Sequence, residues 1–363
     1  MIMNDGVSFC LYLPIICCIA AYTSIFAGGG GTFDGVGTAT GFPGLGGITS
    51  DPSGNLYVTD WSGCDVRKIT TAAVVTTIAG LVGPSNANGY QDGTGTNARF
   101  GALAYLTYSR DGNLYVPDQF NFRVRKVTTG GVVTTFAGQG SAGKMDGYGT
   151  NAQFTLPQGI VSDTAANLYV CDADANTIRM ITPIGLVTTI AGSGTAGNAD
   201  GVGNLAQINR AMDITIDTNG ILYVASTLGN NIRKISPSSW AVTTFVGSSI
   251  GAAGYADGVG TSALFTCNSN MCMFAMVAGT LYVTERSVNR IRRVTSAGGV
   301  TTLAGSMSGS SGSSDGVGTA ASFSQPLGLA ASTDASILFV CDGVNKQLRK
   351  ISIATSTQGA RLF

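Results

Sequence analysis

The chain contains no histidine among its 363 residues, which removes the commonest general base near neutral pH and the commonest zinc ligand. A Ser-His or Cys-His nucleophile pair cannot be built from it. Charged residues make up only 11%, with Lys+Arg 20 against Asp+Glu 20, so no excess of positive charge draws in a polyanion and nucleic acid is not an expected partner. Proline is sparse, at 9 residues, and no N-x-[ST] glycosylation site or metal-type C-x-x-C pair occurs. Outside the N-terminal leader the cysteines number five, Cys64, Cys171, Cys267, Cys272 and Cys341, an odd set that gives no disulfide framework. Cys267 and Cys272 stand close enough to pair across a loop in an exported protein.

Glycine is the abundant residue, 52 in all, about twice its usual share, as expected of many tight turns between short strands. The leader is apolar from Val7 to Ala21 and carries no Lys or Arg. It has the length of a signal-peptide core without the basic start, so residues 1–21 read as an export signal or an uncleaved anchor. Secretion or display at the cell surface follows, with membrane contact only through this segment. Residues 22–363 then form one domain, expected to be monomeric.

Self-similarity at long period settles the fold class. The motif DG-x-G begins at Asp34, Asp92, Asp146, Asp200, Asp257 and Asp315, at intervals of 58, 54, 54, 57 and 58 residues. A Leu-Tyr-Val or Leu-Phe-Val triplet follows at Leu56, Leu114, Leu168, Leu222, Leu281 and Leu338, then an arginine in apolar context at Arg67, Arg125, Arg179, Arg233, Arg292 and Arg349. A VTT run closes five units and ends at Gly80, Gly138, Gly192, Gly247 and Gly305. Each unit holds four short runs of β-branched or apolar residues separated by turn signals. Six such units predict an all-β, six-bladed β-propeller of four-stranded antiparallel blades. The sixth unit lacks its closing run, and Thr23–Gly28 matches what is missing. The ring is therefore expected to close through an N-terminal outer strand.

The segments ADGVGTSALF, NLYVCDADANTIRMITP and VTTIAG resemble the NHL-repeat family, over Tyr22 to about Ile353. The resemblance implies a six-bladed propeller and a role as a binding module. It is also similar to sugar-lactonase-like and amidating-lyase propellers, which are enzymes. The Asn-His pair often found before the arginine strand in that family has no histidine here.

Three catalytic-looking motifs fail on inspection. Gly138–Lys144 imitates a phosphate loop but is followed by Met145 where Ser or Thr is required. Asp172–Asn176 imitates a calcium loop but has Thr177 in place of the glycine and Pro183 in place of the bidentate glutamate. Gly247–Gly251 imitates a nucleophile elbow with no base to serve it. The six DG-x-G aspartates, with Asp60, Asp118, Asp172, Asp342 and Glu285, are expected on one face. There they either form a cation-attracting mouth or, as repetition favours, act as turn formers and arginine partners. More telling are positions where the repeats disagree. Aligning the first strands sets Tyr105, Asp213 and Cys272 against Gly47, Gly159 and Gly328, at the mouth of the central channel. With Asn268, Asn270 and Glu285 from the irregular fifth unit, these are the candidate binding residues.

The expected function is a non-enzymatic module that recognises a protein or glycan on a loop-lined face and needs no cofactor. The alternative is a metal-dependent hydrolase or lyase of the lactonase-like class, with a divalent cation held by Asp213, Asn268 and Asn270.

Overall fold

The computed structural model describes residues 21–31, 34–81, 89–103, 105–267 and 272–353. They form six antiparallel sheets arranged as blades. Blade three shows the plan, running from an inner strand Pro157–Ser162 through Leu168–Asp172 and Thr177–Ile181 to an outer strand Leu186–Ala191. The four strands per blade expected from the repeats are present, and each sheet gains a fifth, two-residue strand at its rim, here Gly147–Tyr148. That strand comes from the residues just after Asp-Gly. It ends where the second glycine of the motif takes a left-handed backbone, with φ between 53° and 59° at Gly37, Gly95, Gly149, Gly203, Gly260 and Gly318, which only glycine adopts freely. The positive φ thus lies at this second glycine rather than at the one beside the aspartate, and the rim strand is too short to template pairing with another chain.

The ring closes as expected. Tyr22–Gly28 pairs with Gln347–Ser352 from the other end of the chain, Thr23 opposite Ile351 and Gly28 opposite Gln347. Thr23 and Ala27 are buried in that seam, and Phe26 packs on Phe339 with ring centroids 5.1 Å apart.

The aromatic residues of the Leu-Tyr-Val and Leu-Phe-Val triplets fall in register. Tyr57, Tyr115, Tyr169, Tyr223, Tyr282 and Phe339 occupy equivalent buried places in the second strands. In four blades the tyrosine hydroxyl reaches an aspartate in the turn after the inner strand, Asp51, Asp111, Asp163 or Asp217. The ring fills the space between blades while its polar tip is satisfied at one end of the sheet.

Candidate functional site

The repeated acids and arginines are structural. Each buried arginine donates through Nη2 to the DG-x-G aspartate of its own blade at 2.6 to 2.8 Å. The same carboxylate accepts the backbone N–H of an outer-strand threonine, as Asp146 does from Thr189. In blades two, three, five and six the arginine also pairs with the fully buried acid that ends the second strand, Asp118, Asp172, Glu285 or Asp342. Five arginines stack over a phenylalanine, as Arg179 does on Phe154 at 5.2 Å. In these four blades the buried acid and arginine are thereby paired and hydrogen-bonded, as a low-dielectric interior demands. Glu285, expected at the channel mouth, lies here instead, holding Arg292 and the Thr266 N–H. Blade four departs from the pattern, with Ser226 and Ile208 where the others have an acid and a ring, and Arg233 keeps only Asp200.

The channel is lined by the inner strands. At one level stand Gly47, Tyr105, Gly159, Asp213, Met273 and Gly328, as the pairing of the following residues with the second strands shows. The fifth-blade member is thus Met273, one residue beyond the expected Cys272, because Phe274 and not Met273 opposes Val283. Cys272 is instead joined to Cys267 in a disulfide. The glycines are required by close approach, since a Cβ on Gly159 would lie 2.5 Å from the Asp213 Cα, and one on Gly328 2.6 Å from the Gly46 carbonyl oxygen. Larger side chains fit only where neighbouring strands stand apart.

A cavity of about 260 Å³ runs along these strands, bordered by Ile48, Tyr105, Ile160, Asp213, Met273 and Leu329. Asp213 is buried, and each of its oxygens accepts one backbone N–H, Oδ1 from Ile214 at 2.8 Å and Oδ2 from Phe274 of the next blade at 2.8 Å. Its carboxylate therefore ties two inner-strand edges together. Burial pushes its pKa up to about 8 against those two donors. Nearby in sequence, Arg210 pairs with Asp174 at 3.7 Å. The Tyr105 hydroxyl is buried beside this carboxyl without a hydrogen-bond partner. Asn268 and Asn270 lie outside the described residues. Among the described residues no three Cys, Asp or Glu side chains converge as a metal-ligand group.

Sequence reasoning passed over the turns between second and third strands. All turn through a left-handed residue at one equivalent place, Cys64, Phe122, Asn176, Asn230, Asn289 and Lys346, so all project alike on one face. That face exposes Trp61, Phe120, Leu228 and Val344, at 53%, 63%, 41% and 57%. Beside them, between blades five and six, lies a polar groove of about 340 Å³ with Arg286, Asn289, Ser324 and Gln325 in its wall. Arg286 donates to the Gln325 amide oxygen at 2.8 Å. An aromatic side chain at an irregular turn position was the available signal.

The fold is that of a six-bladed β-propeller, and part of the chain is similar to an NHL repeat-containing protein. No protein-family model matches the chain. It is 32% identical over 146 residues to NHL repeat-containing protein 2 of Bos taurus, covering 38% of this chain and 20% of that protein. It is 33% identical over 94 residues to Protein SUPPRESSOR OF QUENCHING 1, chloroplastic, of Arabidopsis thaliana, covering 26% of this chain and 9% of that one. Both matches span well under two thirds of those proteins. Among solved structures, an auxiliary nutrient binding protein from Bacteroides thetaiotaomicron superposes with a TM-score of 0.67 at 18% identity, over 92% of this chain and 76% of that one. A gluconolactonase from Xanthomonas campestris superposes with a TM-score of 0.56 at 11% identity, over 86% of each.

Proposed function

We propose that the protein is an exported binding module whose turn-lined face takes a protein or glycan ligand. The observation that carries this is the exposure of Trp61, Phe120, Leu228 and Val344 on one face beside the polar Arg286–Gln325 groove. Flat apolar side chains next to amide and guanidinium donors suit a sugar ring or a partner's amphipathic surface. The nutrient-binding protein of the same fold is consistent with such use. The Cys267–Cys272 disulfide fits an oxidising compartment. The test is binding to an arrayed set of glycans and purified surface proteins, followed by calorimetry on the hits. Trp61→Ala with Phe120→Ala should lower affinity at least about tenfold if these are central anchors; unchanged affinity would remove this face from the argument.

A metal-dependent hydrolase of the lactonase-like class is the second reading, favoured by Asp213 and the partnerless Tyr105 hydroxyl in one channel cavity. It asks a carboxylate that already accepts two backbone N–H groups to bind a cation with Asn268 and Asn270. Metal-dependent turnover of lactones or esters, lost in Asp213→Asn, would establish it.

A further inference from the structure

The blade-one turn breaks a rule that the other blades keep. The residue that ends the second strand faces the first residue of the third strand across the sheet, and these pairs are Asp118 with Arg123, Asp172 with Thr177, Ser226 with Asn231, Glu285 with Arg290 and Asp342 with Gln347. In blade one, Asp60 faces Asp65. Both are buried, at 0% and 3% exposure.

The arginine that pairs with the equivalent acid elsewhere makes no direct ion pair with these two, although its charge still favours their ionised forms. Arg67 donates through Nη1 to the Gly41 carbonyl at 2.6 Å and through Nη2 to Asp34 at 2.8 Å. Asp60 Oδ1 accepts the N–H groups of Ser62 and Gly63 and the Gly44 backbone also favours its charged form, while Asp60 Oδ2 and Asp65 Oδ1 are buried without a direct hydrogen-bond partner. Two opposed carboxyls in this state are costly unless a positive species joins them. Burial and the Asp60 charge together push Asp65 up to about 8. Both carboxyls also close on one turn residue, Gly63. A Cβ on Gly63 would sit 2.9 Å from Asp65 Oδ2 and 3.5 Å from Asp60 Oδ1.

We propose that Asp60 and Asp65 hold a hard divalent cation of the calcium class beneath the turn that presents Trp61. Two carboxylates supply oxygen ligands, and water or backbone carbonyls complete the shell, so the affinity belongs to the weak class of about 10⁻⁴ to 10⁻³ M. The cation links the ends of two strands and stiffens the turn on the proposed binding face, but its own binding does not depend on that face having a ligand.

The test is calorimetric titration of the full chain with calcium and with magnesium, alongside terbium luminescence sensitised by Trp61. Saturable calcium binding is expected in the wild type and in Asp213→Asn, weakened at least about tenfold in Asp65→Asn. Asp65→Asn leaves one buried acid where there were two and should fold at least as well as wild type in chelator, so lost binding there is not lost structure. Gly63→Ala, whose methyl group would press on both carboxyls, should weaken binding as well. Absence of heat and of any melting shift up to about 10 mM calcium would overturn the proposal and leave a shared proton in its place. Binding retained in Asp65→Asn, or lost in Asp213→Asn instead, would also overturn it.

Discussion

Replacing Tyr169 tests the register on which the blade assignments rest. Its side chain is 6% exposed, its hydroxyl donates to Asp163 Oδ2 at 3.2 Å, and its ring lies 6.3 Å from that of Trp240. Removing the ring in Tyr169→Ala forfeits its burial and leaves a cavity between blades three and four, which costs about 2 to 5 kcal/mol. Tyr169→Phe keeps the ring and deletes one hydrogen bond. Asp163 still accepts from the Ala165 and Asn167 amides and the Asn167 side chain, so that loss should be only about 0.5 to 1.5 kcal/mol. Equilibrium unfolding in urea, followed by tryptophan fluorescence, reports both variants, because Trp240 is one of only two tryptophans. An alanine variant no less stable than wild type would mean that the ring faces solvent and the strand is one residue out of register. Equal losses in the two variants would place the stabilisation in the hydroxyl and refute the packing account.

Deleting residues 1–28 should lower the melting temperature sharply or prevent folding, since it strips the partner strand from Gln347–Ser352. Unchanged melting, or a natural cleavage mapped beyond Ser24, would defeat the closure argument. Asp213→Asn presents an amide N–H to one of two buried donors and should cost about 1 to 3 kcal/mol near pH 5. The native pKa of Asp213 is raised from 3.8 to about 8, so its contribution to stability is full below the unfolded value and is lost as pH rises through the native one. The gap between variant and wild type should therefore narrow from pH 5 to 8 in thermal melts, and a gap that widens would contradict the raised pKa. Ser226→Asp gives Arg233 the second acid that four other blades have and should stabilise by about 0.5 to 2 kcal/mol; a clear loss in urea unfolding would show that blade four is built differently.

Sequence alone determined the number of blades, the four main strands of each, the aromatic register, the arginine–aspartate pairing and the N-terminal closure. Those features repeat, and repetition exposes a packing requirement that every unit must meet, as six arginines in phase with six aspartates do. The one-residue slip at Cys272 arose where repetition fails, since the irregular run after Cys267 gives no internal standard for counting and only the pairing of Phe274 with Val283 fixes it. Nor could spacing reveal that Asp213 lines the channel, because which face it occupies depends on the bulge between Ala211 and Asp213. The meeting of Asp60 with Asp65 needed the tertiary structure for another reason. Two acids five residues apart look like ordinary turn residues until the strands pair them, the turn buries them, and the arginine that neutralises their counterparts is found bonded elsewhere.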